Sequence, residues 1–155
     1  MENVKKNFGF GCMRFPMNGE NVDIEQTKRM VDYFLEEGFN YFDTAHGYLG
    51  GKSELALKEC LTSRYPRDQY VLTNKLTNFF FKKEEDIRPF FEKQLEWCGV
   101  EYFDFYLMHS QSKENFAHFK NCHAYEQALA FKKEGKMVIY SLADDHVKDI
   151  FEKAL

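Results

Sequence analysis

Phe39-Asn40-Tyr41-Phe42-Asp43-Thr44-Ala45-His46-Gly47-Tyr48 reads as a short apolar strand that runs into a loop. Asp43 stands where the strand stops, and Tyr48 follows in the loop. Working outward, the same pattern recurs. Residues 8–13 form an apolar run with two glycines, as expected where a buried strand lets a backbone or ligand approach closely. Residues 70–75 and 102–109 are rich in β-branched and aromatic residues and end on Lys75 and His109. Residues 137–142 supply a fifth strand. The strand ends fall near Met13, Asp43, Lys75, His109 and Ser141, about 30 to 34 residues apart, which is the length of one βα unit.

Helical patterns fill the intervals. Asp23 caps a helix with Gln26 three residues on, and its stripe of Ile24, Val31, Phe34 and Leu35 runs to Gly38. Ser53 is the expected cap of a second helix, with Leu57 and Leu61 on one face. Residues 84–97 form a third, closed by Gly99, and residues 124–134 a fourth, closed by Gly135. Asp145 caps a last helix over residues 146–155. Residues 14–22, 49–52, 76–83 and 110–119 read as loops.

Strand alternating with helix argues for an α/β fold with a parallel sheet. Polar residues at the carboxyl ends of evenly paced strands point to a TIM (β/α)8-barrel. A doubly wound open sheet would show a Gly-rich phosphate loop after its first strand, and Gly9-Phe10-Gly11 followed by Cys-Met-Arg-Phe-Pro is not one. A full barrel takes about 250 residues. The 155 residues are therefore expected to form a single domain over 1–155, the N-terminal part of a barrel with about five βα units. Such a piece has two open sheet edges through which copies could associate.

Composition narrows the function classes. Net charge is −4 and no basic stripe occurs, so nucleic acid is not an expected partner. No apolar run approaches a membrane span, and the first six residues lack the apolar segment of a signal peptide, so a cytoplasmic, membrane-free protein is expected. The four cysteines, Cys12, Cys60, Cys98 and Cys122, are scattered and form no Cys-x-x-Cys, which argues for reduced thiols and against a metal cage. Cys122 and His123, near His118, suggest a metal only weakly, because adjacent helical residues do not face each other.

Four polar residues remain to be explained. A Lys ammonium beside a Tyr hydroxyl stabilises the phenolate left when the proton departs, and a carboxylate beside the Lys keeps it charged and in place. A His nearby can polarise a carbonyl oxygen. Tyr48, Lys75, Asp43 and His109 supply those parts of a general-acid site. No Gly-x-Ser-x-Gly offers an acyl-transfer nucleophile. Electrons for reducing a carbonyl must then come from a cofactor.

These motifs resemble the aldo-keto reductase family. Gly9-Phe10-Gly11-Cys12-Met13-Arg14 is similar to its first strand, and Phe42-Asp43-Thr44-Ala45-x-x-Tyr48 to its Asp–Tyr motif. Leu72-Thr73-Asn74-Lys75 and Leu107-Met108-His109 are similar to the segments bearing its Lys and His. The stretch from Tyr48 to Glu54 resembles a bacterial branch that often carries a C-terminal iron–sulfur segment, which the four cysteines do not replace. The resemblance implies a catalytic set of Asp43, Tyr48, Lys75 and His109, a small carbonyl substrate, and NADPH or NADH as hydride donor. It implies cofactor contacts at Gly11, Cys12, Met13, Asp43 and Ser141 and no metal. The family grips its dinucleotide largely through strands later than the five present here. Its strand-five motif is longer than residues 135–141.

Two other readings compete. The chain could be a catalytically inactive, truncated relative that folds only by association. Alternatively Lys75 could be a Schiff-base amine, which an adjacent Asp43 would disfavour.

Overall fold

The structure, a computed structural model, describes residues 3–141, with side chains described through residue 138. The main elements are β1 (Gly9–Gly11), α1 (Ile24–Glu36), β2 (Tyr41–Asp43), α2 (Lys52–Leu57), β3 (Val71–Thr77), α3 (Glu84–Cys98), β4 (Phe103–His109), α4 (Lys113–Asn121), α5 (Ala124–Lys133) and β5 (Met137–Ser141). The five strands lie side by side in sequence order, every neighbouring pair parallel. This is the order of a barrel wall. A doubly wound sheet reverses direction at a switch point, and none occurs between β1 and β5.

Strand side chains alternate between faces. The register sets Gly11 beside Asp43, Asp43 beside Thr73, Lys75 beside Leu107 and Thr77 beside His109. Asp43, Thr73, Lys75, Thr77 and His109 therefore share one face. Phe10, Phe42, Leu72, Leu76, Tyr106 and Met108 share the other and pack into the core with the helices. There Phe34 of α1 meets Phe42 at 5.3 Å between ring centroids, and Phe91 of α3 stacks on Phe131 of α5 at 4.1 Å. Much of the aromatic surplus of the sequence is thus core filling on the side away from the polar residues, while Tyr41 and Phe105 pair on the polar face and Phe79 is exposed.

Local signals explain most boundaries. The Asp23 carboxylate accepts the Gln26 backbone N–H at 2.9 Å and starts α1. Gly38, Gly99 and Gly135 follow α1, α3 and α5 in left-handed backbone, as expected. At the other end of the sheet, Asp104 accepts from Arg67 Nη2 at 2.5 Å and from the Leu72 N–H at 2.7 Å. That buried carboxylate ties the starts of β3 and β4 together.

Four expectations are corrected. Residues 14–22 are not only loop: Met17–Asn18 pairs antiparallel with Asn21–Val22. Residues 110–119 hold most of α4, started by Ser112 and Asn115, whose side chains cap each other's backbone. A Ser-x-x-Asn pair escapes the usual Glu or Gln form of that box. Ser53 is not a cap; α2 begins one residue earlier, after Gly51, and Ser53 lies buried in its first turn. Strand β3 runs to Thr77, so Lys75 sits inside the strand and not at its end. The expected helix over 146–155 lies outside the described residues.

Candidate active site

Lys75 is the centre of the site. Its ammonium nitrogen lies 2.5 Å from Asp43 Oδ1, 2.9 Å from the Thr44 carbonyl and 3.0 Å from Tyr48 Oη. An ammonium has three protons and no lone pair, so all three contacts are donated by Lys75. Tyr48 Oη therefore accepts, and its own hydroxyl hydrogen stays available to another acceptor. Lys75 is 6% exposed, and burial makes this pairing obligatory, because a buried ammonium without partners is strongly disfavoured. Its Nζ also stands 4.7 Å from the centre of the Tyr48 ring.

His109 completes the group. Its ring meets the Tyr48 ring edge-on, with centroids 5.8 Å apart. Thr77 Oγ1 lies 2.7 Å from His109 Nδ1. Burial, and after it the Lys75 ammonium, hold His109 below the ordinary imidazole range, with Asp43 partly opposing. The neutral ring is thus favoured in the folded chain. As pH falls past roughly 6.5 the unfolded chain takes up this proton first. The contribution is full above that value and is lost as pH falls through the depressed folded value. Urea midpoints should drop between pH 7.5 and pH 5, and the drop should shrink in His109→Gln. An equal drop in both chains would clear His109 of the effect.

The loop that presents Tyr48 is built from buried hydrogen bonds. The Ser53 hydroxyl donates to the Cys12 carbonyl at 2.8 Å and so accepts from Thr44 Oγ1, also at 2.8 Å. The Thr44 N–H donates to the Thr73 carbonyl. These contacts set the Thr44 carbonyl where Lys75 finds it. His46, two residues before Tyr48, has Nδ1 2.6 Å from Glu54 Oε2 and its ring stacked on Trp97 at 4.4 Å. Gly51 adopts φ of +87°, and a Cβ there would stand 3.3 Å from His46 Cε1, so glycine lets the chain turn against that ring.

Glu54 is fully buried. It also accepts from Asn74 Nδ2 at 2.8 Å and Gln94 Nε2 at 3.2 Å, and Gln94 Oε1 accepts the Tyr106 hydroxyl at 2.5 Å. This polar network backs the site on the helix side of β3.

Sequence reasoning named the four central residues and missed Thr77, His46, Glu54 and Asn74. The signals were present. Thr77 follows Lys75 by two residues, hence on the same strand face. Glu54 falls on the stripe of Leu57 and Leu61 by helical spacing, a carboxylate where a core residue is due.

The expected cofactor contacts divide. Gly11 is exposed, with nothing within 4 Å of where a Cβ would stand, and it lies beside Asp43 in the register. Met13 is also exposed. Cys12 differs from both: its thiol is fully buried, its N–H donates to the Asp43 carbonyl and its carbonyl accepts from Ser53. Cys12 holds β1 to β2 and α2 and presents no side chain to a ligand. The side chain of Ser141 lies outside those described. Among the described residues no three His, Cys, Asp or Glu side chains gather as a metal site, and no helix is long and apolar enough to cross a membrane.

The sequence model of the Aldo/keto reductase family matches residues 7–151. The chain is 27% identical over 145 residues to the 9,11-endoperoxide prostaglandin H2 reductase of Trypanosoma cruzi, covering 90% of this chain and 49% of that protein. It is 33% identical over 106 residues to the 4-dihydromethyl-trisporate dehydrogenase of Mucor mucedo, covering 65% of this chain and 30% of that protein. The chain thus spans half or less of the length of these relatives. Among solved structures, it superposes on an aldo-keto reductase from Bacillus halodurans in its holo form with a TM-score of 0.68 at 26% identity, covering 88% of this chain and 45% of that one. An aldo-keto reductase from Klebsiella pneumoniae in complex with NADPH gives 0.67 at 22% identity, over 85% of this chain and 43% of that one, a likeness of fold.

Proposed function

Because the chain belongs to the aldo/keto reductase family, we propose that it carries the proton-delivering site of an NAD(P)H-dependent oxidoreductase that reduces an aldehyde or ketone to an alcohol, with Tyr48 as proton donor. The observation that carries this reading is the Lys75 ammonium shared between Asp43 and Tyr48 Oη. It occupies the acceptor side of the Tyr48 hydroxyl and leaves the proton pointing elsewhere.

The substrate oxygen is placed between Tyr48 Oη and the His109 ring. Negative charge grows on that oxygen as the carbonyl is reduced, and donors aimed at growing charge lower the barrier. Tyr48 releases its proton to the oxygen. Lys75 stabilises the phenolate that remains, and Asp43 keeps Lys75 in position. His109, favoured neutral, donates a hydrogen bond to the same oxygen. Gly11, Met13 and Asp43 are the residues that would meet the nicotinamide end of the dinucleotide, which supplies the hydride when bound. NADPH is the first choice, because the similarly folded Klebsiella reductase binds it, and NADH is the alternative.

The test follows the hydrogen. The protein is incubated with NADPH deuterated at the transferring carbon and with an aromatic aldehyde, and the product is read by mass spectrometry. An alcohol bearing one deuterium at the former carbonyl carbon is expected. No labelled alcohol at millimolar cofactor would overturn the reading.

A further inference from the structure

We propose that Thr77 is a positioning residue: its hydroxyl donates to His109 Nδ1 and thereby keeps the imidazole proton on Nε2, the nitrogen that faces the substrate oxygen. This rests on the functional reading above for its purpose, but not for its geometry.

Thr77 ends β3, is 6% exposed, and lies beside His109 in the parallel register. Its Oγ1 is 2.7 Å from His109 Nδ1, and among the described residues this is its one side-chain hydrogen bond. Two arrangements fit that distance. If Nδ1 carries the proton, the Thr77 oxygen accepts and its own hydrogen is left in a buried place with no described acceptor. If Thr77 donates, its buried hydrogen is used and the ring's one N–H falls on Nε2 of the half-exposed His109. A buried polar hydrogen without a partner is disfavoured, so the second arrangement prevails.

The ring then has no freedom. Burial and the Lys75 ammonium favour the neutral imidazole. A neutral imidazole has one N–H, and the hydrogen bond at one nitrogen decides which nitrogen bears it. With Nδ1 accepting from Thr77, the proton resides on Nε2, for which the described residues supply no partner. The site thereby holds two hydrogen-bond donors of different origin for one oxygen, Tyr48 Oη and His109 Nε2. The same strand sets both, since Lys75 orients Tyr48 and Thr77, two residues on, orients His109. Neither contact alters the charge of the site.

The test reads the tautomer directly by long-range proton–nitrogen correlation spectroscopy of the imidazole ring, with His109→Gln used to assign its signals. In the unaltered chain at pH 8, His109 should show a protonated Nε2 and a bare, hydrogen-bonded Nδ1. Thr77→Val keeps the shape and removes the donor; the Nδ1-protonated form should then appear in exchange. Thr77→Ser restores a hydroxyl and should restore the first pattern. With an aldehyde and NADPH, kcat should fall roughly tenfold in Thr77→Val with KM little changed, and Thr77→Ser should recover most of it. A protonated Nδ1 in the unaltered chain, or a Thr77→Val spectrum identical to it, overturns the proposal whether or not the chain turns over. A chain that shows the expected tautomers but reduces no carbonyl keeps the positioning role and removes the reductase reading instead.

Discussion

Tyr48→Phe is expected to lower kcat for carbonyl reduction by about 10³-fold while leaving NADPH affinity within about a factor of two. The substitution removes one oxygen and little else. Phenylalanine keeps the ring that meets His109 edge-on and lies under the Lys75 ammonium. Lys75 retains Asp43 Oδ1 and the Thr44 carbonyl as acceptors, so no buried charge is stranded. The fold should hold, and a melting temperature within a few degrees of the parent is the control. What disappears is the one hydroxyl whose proton the Lys75 contact leaves free. A general acid contributes roughly 10² to 10⁴ to rate, and the middle of that range suits a site whose other donor, His109, remains. The measurement is single-turnover oxidation of bound NADPH at saturating aldehyde, with cofactor affinity from quenching of the protein's fluorescence. Turnover within tenfold of the parent would move the proton donor to another group.

Lys75 shows why the polar face was open to reading from sequence and its support was not. The approach of Asp43, Lys75 and His109 follows from two regularities, the even βα spacing and the alternation of strand side chains. Tyr48 comes from a loop, yet the Thr44–Ala45 segment before it is short enough to keep it near. Those are local or periodic facts, and a sequence displays them. The His46–Glu54–Asn74–Gln94 network is different. Its members come from a loop, α2, β3 and α3, with bonded partners up to 40 residues apart, and apart from Glu54 on its apolar stripe each taken alone looks like a surface polar residue. Only the register of helix against sheet makes them neighbours. Cys12 went the other way. A motif placed it beside the cofactor, while alternation with Gly11 and Met13 turned its side chain into the core. Periodicity within one element was legible, and so was the fold class. Contacts between elements had to be seen, as had the two extra residues of β3 that make Thr77 a partner of His109.

Glu54→Ala is expected to lower the free energy of unfolding by about 3–5 kcal/mol, the combined scale of a buried acceptor lost to several donors and of the cavity left behind. In a domain whose total stability is about 5–15 kcal/mol that is a large fraction, and the melting temperature should fall by about 10–15 °C. The loss is not the contact energy of one carboxylate. Glu54 is fully buried, and its two oxygens accept from His46, Asn74 and Gln94. Alanine leaves three donors on three different elements without that acceptor, together with a cavity between α2 and β3. Glu54→Gln separates charge from shape. Its amide oxygen can still accept from Asn74 and Gln94, but its NH₂ meets the His46 ring where a carboxylate stood. A smaller loss of about 1–2 kcal/mol is expected. The damage should also reach the chemistry, because His46 anchors the loop that carries Tyr48, and Gln94 Nε2 holds the Lys75 carbonyl at 3.1 Å. Urea unfolding of the three chains followed by far-ultraviolet circular dichroism gives the energies. A Glu54→Ala chain within about 1 kcal/mol of the parent would mean that the network relaxes around the gap, and that Tyr48 is held by the Ser53–Thr44 contacts alone.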